Sequence, residues 1–292
     1  MDEQVKLLQL QAFQLLSDFL NDSPDRINAK LVRELETALG GCGDETHVFT
    51  LPLAAACGID TSGSANDRRL FYDFFEPAVR KLDVAQYNSN PYYKNIQFSV
   101  AKTGQWELRY DVYKPFEAFV CDDIVVMPDG RQIPQIGFFD ESFRYPAVLE
   151  NGRIWMTVTP NEVETMRIPI AQAFGKVLTY GLGLGYYAYM VSLKSEVESV
   201  TIVEKDASVI ELFKTYILPQ ISESQKIMVE QADAFEYAAN RMPEEGFDYV
   251  FADLWHDVSD GLPMYQRMKK FETLCPTTKF AYWIEKSMKC YL

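Results

Sequence analysis

Residues 177–187 read VLTYGLGLGYY. A short apolar run meets three glycines at alternate positions, Gly181, Gly183 and Gly185, and two tyrosines, Tyr186 and Tyr187, follow. Glycine weakens the interior of helices and strands, so this density marks a strand end and a turn whose backbone must stay bare. Lacking side chains, the three residues permit the turn into a following helix and let a ligand approach the main chain closely.

Reading outward, apolar runs alternate with helical patterns from about residue 176. KVLTY (176–180) precedes the glycines and a helical stretch to about 195 follows them. SVTIVE (199–204) is the second strand. DASVIELFKTYIL (206–218) has helical periodicity, with Asp206 at the N-cap and Pro219 beyond the end. KIMVE (226–230), FDYVFAD (247–253) and KFAYWI (279–284) are the remaining strands, separated by the helical stretches DAFEYAANRM (233–242) and LPMYQRMKKFETL (262–274). Strands alternating with helices imply right-handed crossovers and a parallel sheet. The expected fold is α/β, a Rossmann-like doubly wound parallel sheet over residues 161–292.

Upstream the pattern changes to an α+β region. VKLLQLQAFQLLSDFL and NAKLVRELETALG read as an amphipathic helix pair, and DRRLFYDFFEPAVRKL as a third helix, within a helical region 1–95. Strands are expected from about 96: IQFSV, WELRYDVY and AFVCDDIVVM, then the turn PDGRQ. In YPAVLENGRIWMTVT the Asn151–Gly152 pair between apolar runs is a hairpin signal. The hairpin region 96–160 is expected to form one substrate-covering domain with 1–95. Thr159, Pro160 and Glu162 then spell the start of a helix, with Glu162 as capping-box partner.

Composition sets the bounds. The net charge of −14 opposes nucleic-acid binding, which leaves a basic footprint. No apolar run is long enough for a membrane span, and the acidic N-terminus lacks the pattern of a signal peptide. The five cysteines, Cys42, Cys57, Cys121, Cys275 and Cys290, are scattered and odd in number. They suit free thiols in a cytoplasmic setting. With only His47 and His256 present, no metal site is expected.

In a doubly wound sheet ligands sit beyond the carboxyl ends of the strands. Four strand ends in succession carry chemistry here: the glycines, Glu204 in TIVEKD, Asp233 in VEQADAFEY and Asp253 in DYVFADLWHD. Glu204 can accept hydrogen bonds from both ribose hydroxyls of a nucleoside. Asp233 can meet an adenine amino group and also heads a helix, with Glu236 three residues on. Asp253 points into the same crevice.

These motifs resemble the class I S-adenosylmethionine-dependent methyltransferase superfamily, and within it the spermidine synthase branch, over residues 145–285. The resemblance implies a cofactor site of Gly181, Leu182, Gly183, Gly185, Glu204, Lys205, Asp233 and Ala234 for S-adenosylmethionine or a related adenosyl sulfonium such as its decarboxylated form. It places Asp253 at the reacting end of the cofactor as the catalytic carboxylate; from their place in the loop that follows, Trp255, His256 and Asp257 are candidate substrate contacts. The chain departs from the branch at Leu184, where the glycine loop usually holds an Asp, and at His256, where a second Asp is usual. After the fifth strand only EKSMKCYL remains, so the C-terminal hairpin of most methyltransferases is not expected. KFAYWI is then an open sheet edge, to be covered by the N-terminal region or by a second subunit in a homodimer.

The resulting expectation is a methyltransferase acting on a small molecule, for example an amine, with aminopropyl transfer as one alternative. A second alternative is a NAD-dependent oxidoreductase, because Gly183, Gly185 and Ala188 fit G-x-G-x-x-A with Glu204 at the ribose distance. A third is a nucleoside-binding scaffold without catalysis. The run YNSNPYYKN (87–95) resembles the Asn-Pro-Pro-Tyr of amino-methyltransferases, but it does not follow the fourth strand and is not assigned to the site.

Overall fold

The computed structural model describes residues 2–40 and 44–292, and Cys42 lies outside the described residues. Cys57, Cys121, Cys275 and Cys290 are free thiols. The chain divides into two compact units that interleave along the sequence, Met1–Tyr87 with Asp111–Tyr145 and Asn88–Tyr110 with Pro146–Leu292.

In the second unit the strand–helix alternation becomes five parallel strands: β1 (Gly175–Tyr180), β2 (Val197–Glu204), β3 (Ile227–Gln231), β4 (Tyr249–Ala252) and β5 (Lys279–Tyr282). Their order is β3-β2-β1-β4-β5. The order therefore reverses beside β1, where β4 pairs on one side and β2 on the other. Every residue of β4 is buried, as are Val177 to Tyr180 of β1. Central strands of a parallel sheet covered on both faces need such continuous apolar runs. The connections include α1 (Tyr186–Ser192), α2 (Ala207–Leu212), α3 (Ala234–Asn240) and α4 (Val258–Lys269). The Asp206 carboxylate caps α2 as its position predicts, accepting from the N–H groups of Ser208 and Val209.

Upstream in this unit, strand Phe143–Glu150 pairs antiparallel with Arg153–Thr157. Asn151 and Gly152 both have positive φ, 52° and 80°, the backbone that a tight hairpin turn requires. The helix Pro160–Gln172 begins at the expected capping box, where the Glu162 carboxylate accepts the Thr159 N–H at 2.7 Å and its hydroxyl at 2.5 Å. In the first unit the helix expected over 67–82 stops at Ala78 and Val79–Lys81 is a strand, and in this unit a second expectation fails: IQFSV (96–100) is irregular, and the strand covers Ala101–Thr103 instead. Its main chain is satisfied by side chains. Gln97 N–H donates to Gln220 Oε1, Gln220 Nε2 donates back to the Gln97 carbonyl, and Phe98 N–H donates to the Tyr110 hydroxyl. A glutamine amide thus serves where a neighbouring strand was expected.

The first unit packs helices Glu3–Asp22, Ala29–Ala38 and Glu45–Ala56, and a helical run from Ala65 to Ala78, with a three-stranded sheet. In that sheet Gln132–Phe138 lies between Val79–Lys81, parallel to it, and Phe119–Val126, antiparallel to it. Phe49 stacks on Phe138 at 4.0 Å between ring centroids, inside a core that also holds Phe71, Phe74 and Phe75. Gln9 ties the first helix to the sheet through paired amide bonds with Gln132. Among the described residues no helix is long and apolar enough to cross a membrane.

Candidate functional site

The glycine loop leaves β1 with the geometry its composition requires. Gly181 has φ +92°, and a Cβ there would lie 2.0 Å from the Asp253 carbonyl oxygen. Any side chain would push apart the ends of β1 and β4, which are also joined by the Asp253 N–H donating to the Tyr180 carbonyl at 2.9 Å. Gly185 (φ +74°) is the N-cap of α1 and meets the Phe213 ring, where a Cβ would come within 2.4 Å. Above Gly183 nothing lies within 4 Å of a Cβ position, so the loop is open there. Leu182 and Leu184, between the glycines, turn inward and are buried in the unit's core.

Glu204 at the end of β2 joins two loops. Its Oε2 accepts from Leu182 N–H at 3.2 Å and its Oε1 from Asp206 N–H at 2.9 Å. Each carboxylate oxygen can accept two hydrogen bonds, so capacity for ligand hydroxyls remains. Lys205 beside it is exposed. Asp233 caps α3 through Oδ1, which accepts from Phe235 N–H at 2.9 Å and Glu236 N–H at 3.0 Å. Its Oδ2 makes no hydrogen bond among the described residues and faces out from an exposed position. Ala234 is buried under the cap.

Asp253 behaves differently. Its carboxyl has no hydrogen-bond donor among the described residues, and burial pushes it up to about 8, with the negative charge of Glu162 adding to the effect. Glu162 is itself raised above the ordinary carboxyl range by burial. Two half-buried acids from different elements therefore lie within reach of each other's charge. On the same helix turn Asn161 Oδ1 is buried without a partner, and Trp255 Nε1 is likewise unpartnered although the indole is only 4% exposed. Orphaned buried polar atoms are rare in native proteins. They fit a site whose ligand supplies the missing bonds.

The other two residues expected beside the substrate have local partners. His256 is exposed, lies 3.3 Å from Asp260 through Nδ1 and meets the edge of Trp155 at 5.9 Å. Asp257 is the N-cap of α4 and accepts from both the N–H and the hydroxyl of Ser259 at 2.6 Å. Among the described residues no group of three or more His, Cys, Asp or Glu is placed to hold a metal.

Sequence reasoning left out two contributors. Glu162 carried a cap signature that explained it fully, which hid its second role beside Asp253. The segment from Asn90 to Asn95 was set aside, yet it braces the loop and α1. Tyr92 hydroxyl donates to the Leu184 carbonyl at 2.6 Å, Asn90 Nδ2 to the Tyr186 hydroxyl at 3.0 Å and Asn95 Nδ2 to the Tyr189 hydroxyl at 2.8 Å. The signal was the match of amides and tyrosines in one segment to tyrosines in the other, which spacing alone cannot pair.

Residues 170–274 match the family model of the spermine/spermidine synthase domain, within the region likened to that branch above. Among solved structures, the spermidine synthase from Thermotoga maritima shares 21% identity, over 48% of this chain and 53% of that one, with a TM-score of 0.33. A structure assigned as an O-methyltransferase from Klebsiella pneumoniae shares 18%, over 36% of this chain and 46% of that one, with a TM-score of 0.28. The chain thus spans about half the length of these solved structures. No curated protein matches.

Proposed function

We propose that this protein is an adenosyl-sulfonium-dependent transferase that alkylates an amine, with aminopropyl transfer from decarboxylated S-adenosylmethionine as its reaction. The observation that carries the proposal is Asp253, an unpaired, poorly solvated carboxyl at the end of β4, beside the open glycine loop. The residues present fit such a cofactor. Glu204 has spare acceptor capacity for ribose hydroxyls, Asp233 Oδ2 is available to an amino group, and Gly183 leaves the main chain bare. When bound, the sulfonium supplies an electrophilic carbon.

The chain's own residues do the rest. A protonated amine cannot attack, so it must lose a proton first. A carboxylate raised to about 8 accepts that proton far more readily than an ordinary one near 4. In its ionised form, which dominates above about pH 8, Asp253 attracts the cationic amine and receives its proton at the carboxylate oxygen. Trp255, two residues on, is buried with its Nε1 unpartnered. Glu162, fixed by Thr159, keeps the field around Asp253 negative.

Methyl transfer from S-adenosylmethionine is the second reading, and Leu184 favours it. That side chain is buried and apolar, so the glycine loop offers no carboxylate to hold an ammonium at the cofactor's tail. The two reactions separate by product mass. The protein is incubated with S-adenosylmethionine or its decarboxylated form and a panel of diamines, polyamines and amino acids. Aminopropylated product from the decarboxylated cofactor is expected. Methylated product alone would overturn that assignment in favour of the second reading, and absence of both with every acceptor would overturn the transferase proposal.

A further inference from the structure

Away from the crevice, a groove of about 460 Å³ lies within the second unit, between the hairpin of residues 101–108 and the outer face of α2 with the turn that continues it. Its volume falls within the range of about 300–1,000 Å³ typical of small-molecule sites. The hairpin contributes Trp106 and Leu108, both nearly fully buried, as an apolar floor. The helical side contributes Ser208, Glu211, Thr215 and Tyr216. Glu211 makes no hydrogen bond or ion pair among the described residues, and the side-chain hydroxyls of Ser208, Thr215 and Tyr216 have no partner there either. None of the residues lining the groove is cationic. A carboxylate at one side, an indole and a phenol as walls and a net charge of −14 all select one class of occupant.

We propose that this groove is a second ligand site, separate from the Asp253 crevice, for an organic monocation with a flat apolar body. The ammonium sits against Glu211 and the body lies on Trp106 and Tyr216. The proposal does not depend on the transferase reading, because no residue of the glycine loop or of the four strand ends lines the groove.

Tryptamine is the probe, with 3-ethylindole as its neutral counterpart, each titrated by calorimetry and by protein-observed NMR. Trp106 meets Trp155 edge to face at 5.6 Å, so its indole N–H resonance gives a local report of occupancy. Tryptamine is expected to bind and to shift that resonance, and 3-ethylindole to bind about tenfold more weakly, the value of one charge-assisted hydrogen bond. Glu211→Gln, an isosteric change at an exposed helical position, should remove that difference. Thr215→Trp, which fills the groove from an exposed position, should abolish binding of both probes. Asp253→Asn and saturating S-adenosylhomocysteine should leave tryptamine affinity unchanged. Failure of tryptamine to bind the wild type would overturn the proposal. So would an unaltered preference for the cation in Glu211→Gln, or loss of binding in Asp253→Asn, which would put the amine in the crevice instead.

Discussion

Glu204 and Asp253 occupy corresponding places, each a carboxylate at the carboxyl end of a parallel strand next to β1. Their surroundings make them different chemical groups. Glu204 receives one main-chain N–H on each oxygen and holds the glycine loop to the loop before α2. Asp253 receives none, is desolvated, and lies near a second acid. A satisfied acid suits binding and local order. An unsatisfied one is held in an unfavourable state that only a ligand or a proton relieves. The fold thus separates holding from reacting by where it supplies main-chain donors.

The largest effect expected from that contrast is at Asp253. Asp253→Asn should lower turnover by about 10²–10⁴-fold, the usual contribution of a positioned base, with cofactor affinity nearly unchanged. Stability should respond as well. With the carboxyl at about 8 when folded and at its ordinary 3.8 when unfolded, the native state binds the extra proton between those values. Wild-type stability therefore falls as pH rises from about 4 to about 8, and the Asn variant should lack that part of the slope. Chemical denaturation across this pH range reads it directly. Identical slopes would show that Asp253 is as well solvated as Glu204.

A smaller effect is expected at Glu204. Glu204→Ala removes charge-assisted hydrogen bonds to a ribose and should weaken cofactor binding by about 1.5–3 kcal/mol. Calorimetry with S-adenosylhomocysteine measures this, and turnover at saturating cofactor should change far less than in Asp253→Asn. Equal loss of turnover in both variants would erase the division between holding and reacting.

The subtlest change is Glu162→Gln. Glutamine can still accept from Thr159 and keep the cap, but the charge near Asp253 is gone. The Asp253 carboxyl should then titrate at lower pH, moving the acid limb of the kcat/KM profile in the same direction. An unmoved limb in a variant of unchanged melting temperature would detach Glu162 from the reactive acid.

Much of this fold was legible before any coordinates. VLTYGLGLGYY announced β1 and its turn, and Asn151–Gly152 announced a hairpin, because each depends on backbone conformations that few residues adopt. The first unit was less open to reading. Helix Glu45–Ala56 is apolar on most faces and contains Pro52, and strand Gln132–Phe138 contains Pro134, so neither shows a clean amphipathic period. IQFSV has the composition of a strand yet is irregular, since the Gln220 amide occupies its main-chain groups from 123 residues away.

The sequence by itself determined the order of strands and helices, the bare glycine turn and the row of acids after successive strands. Those features rest on local steric limits and on residues close in the chain. Which acid would be satisfied and which left unpaired was decided only by tertiary structure. Whether Asp253 finds a donor depends on where the helix Pro160–Gln172 and the loop before α4 come to lie, and its raised pKa comes from burial and from Glu162, 91 positions earlier. Solvation and charge coupling act through space. A one-dimensional pattern can name the acid but cannot set its chemistry.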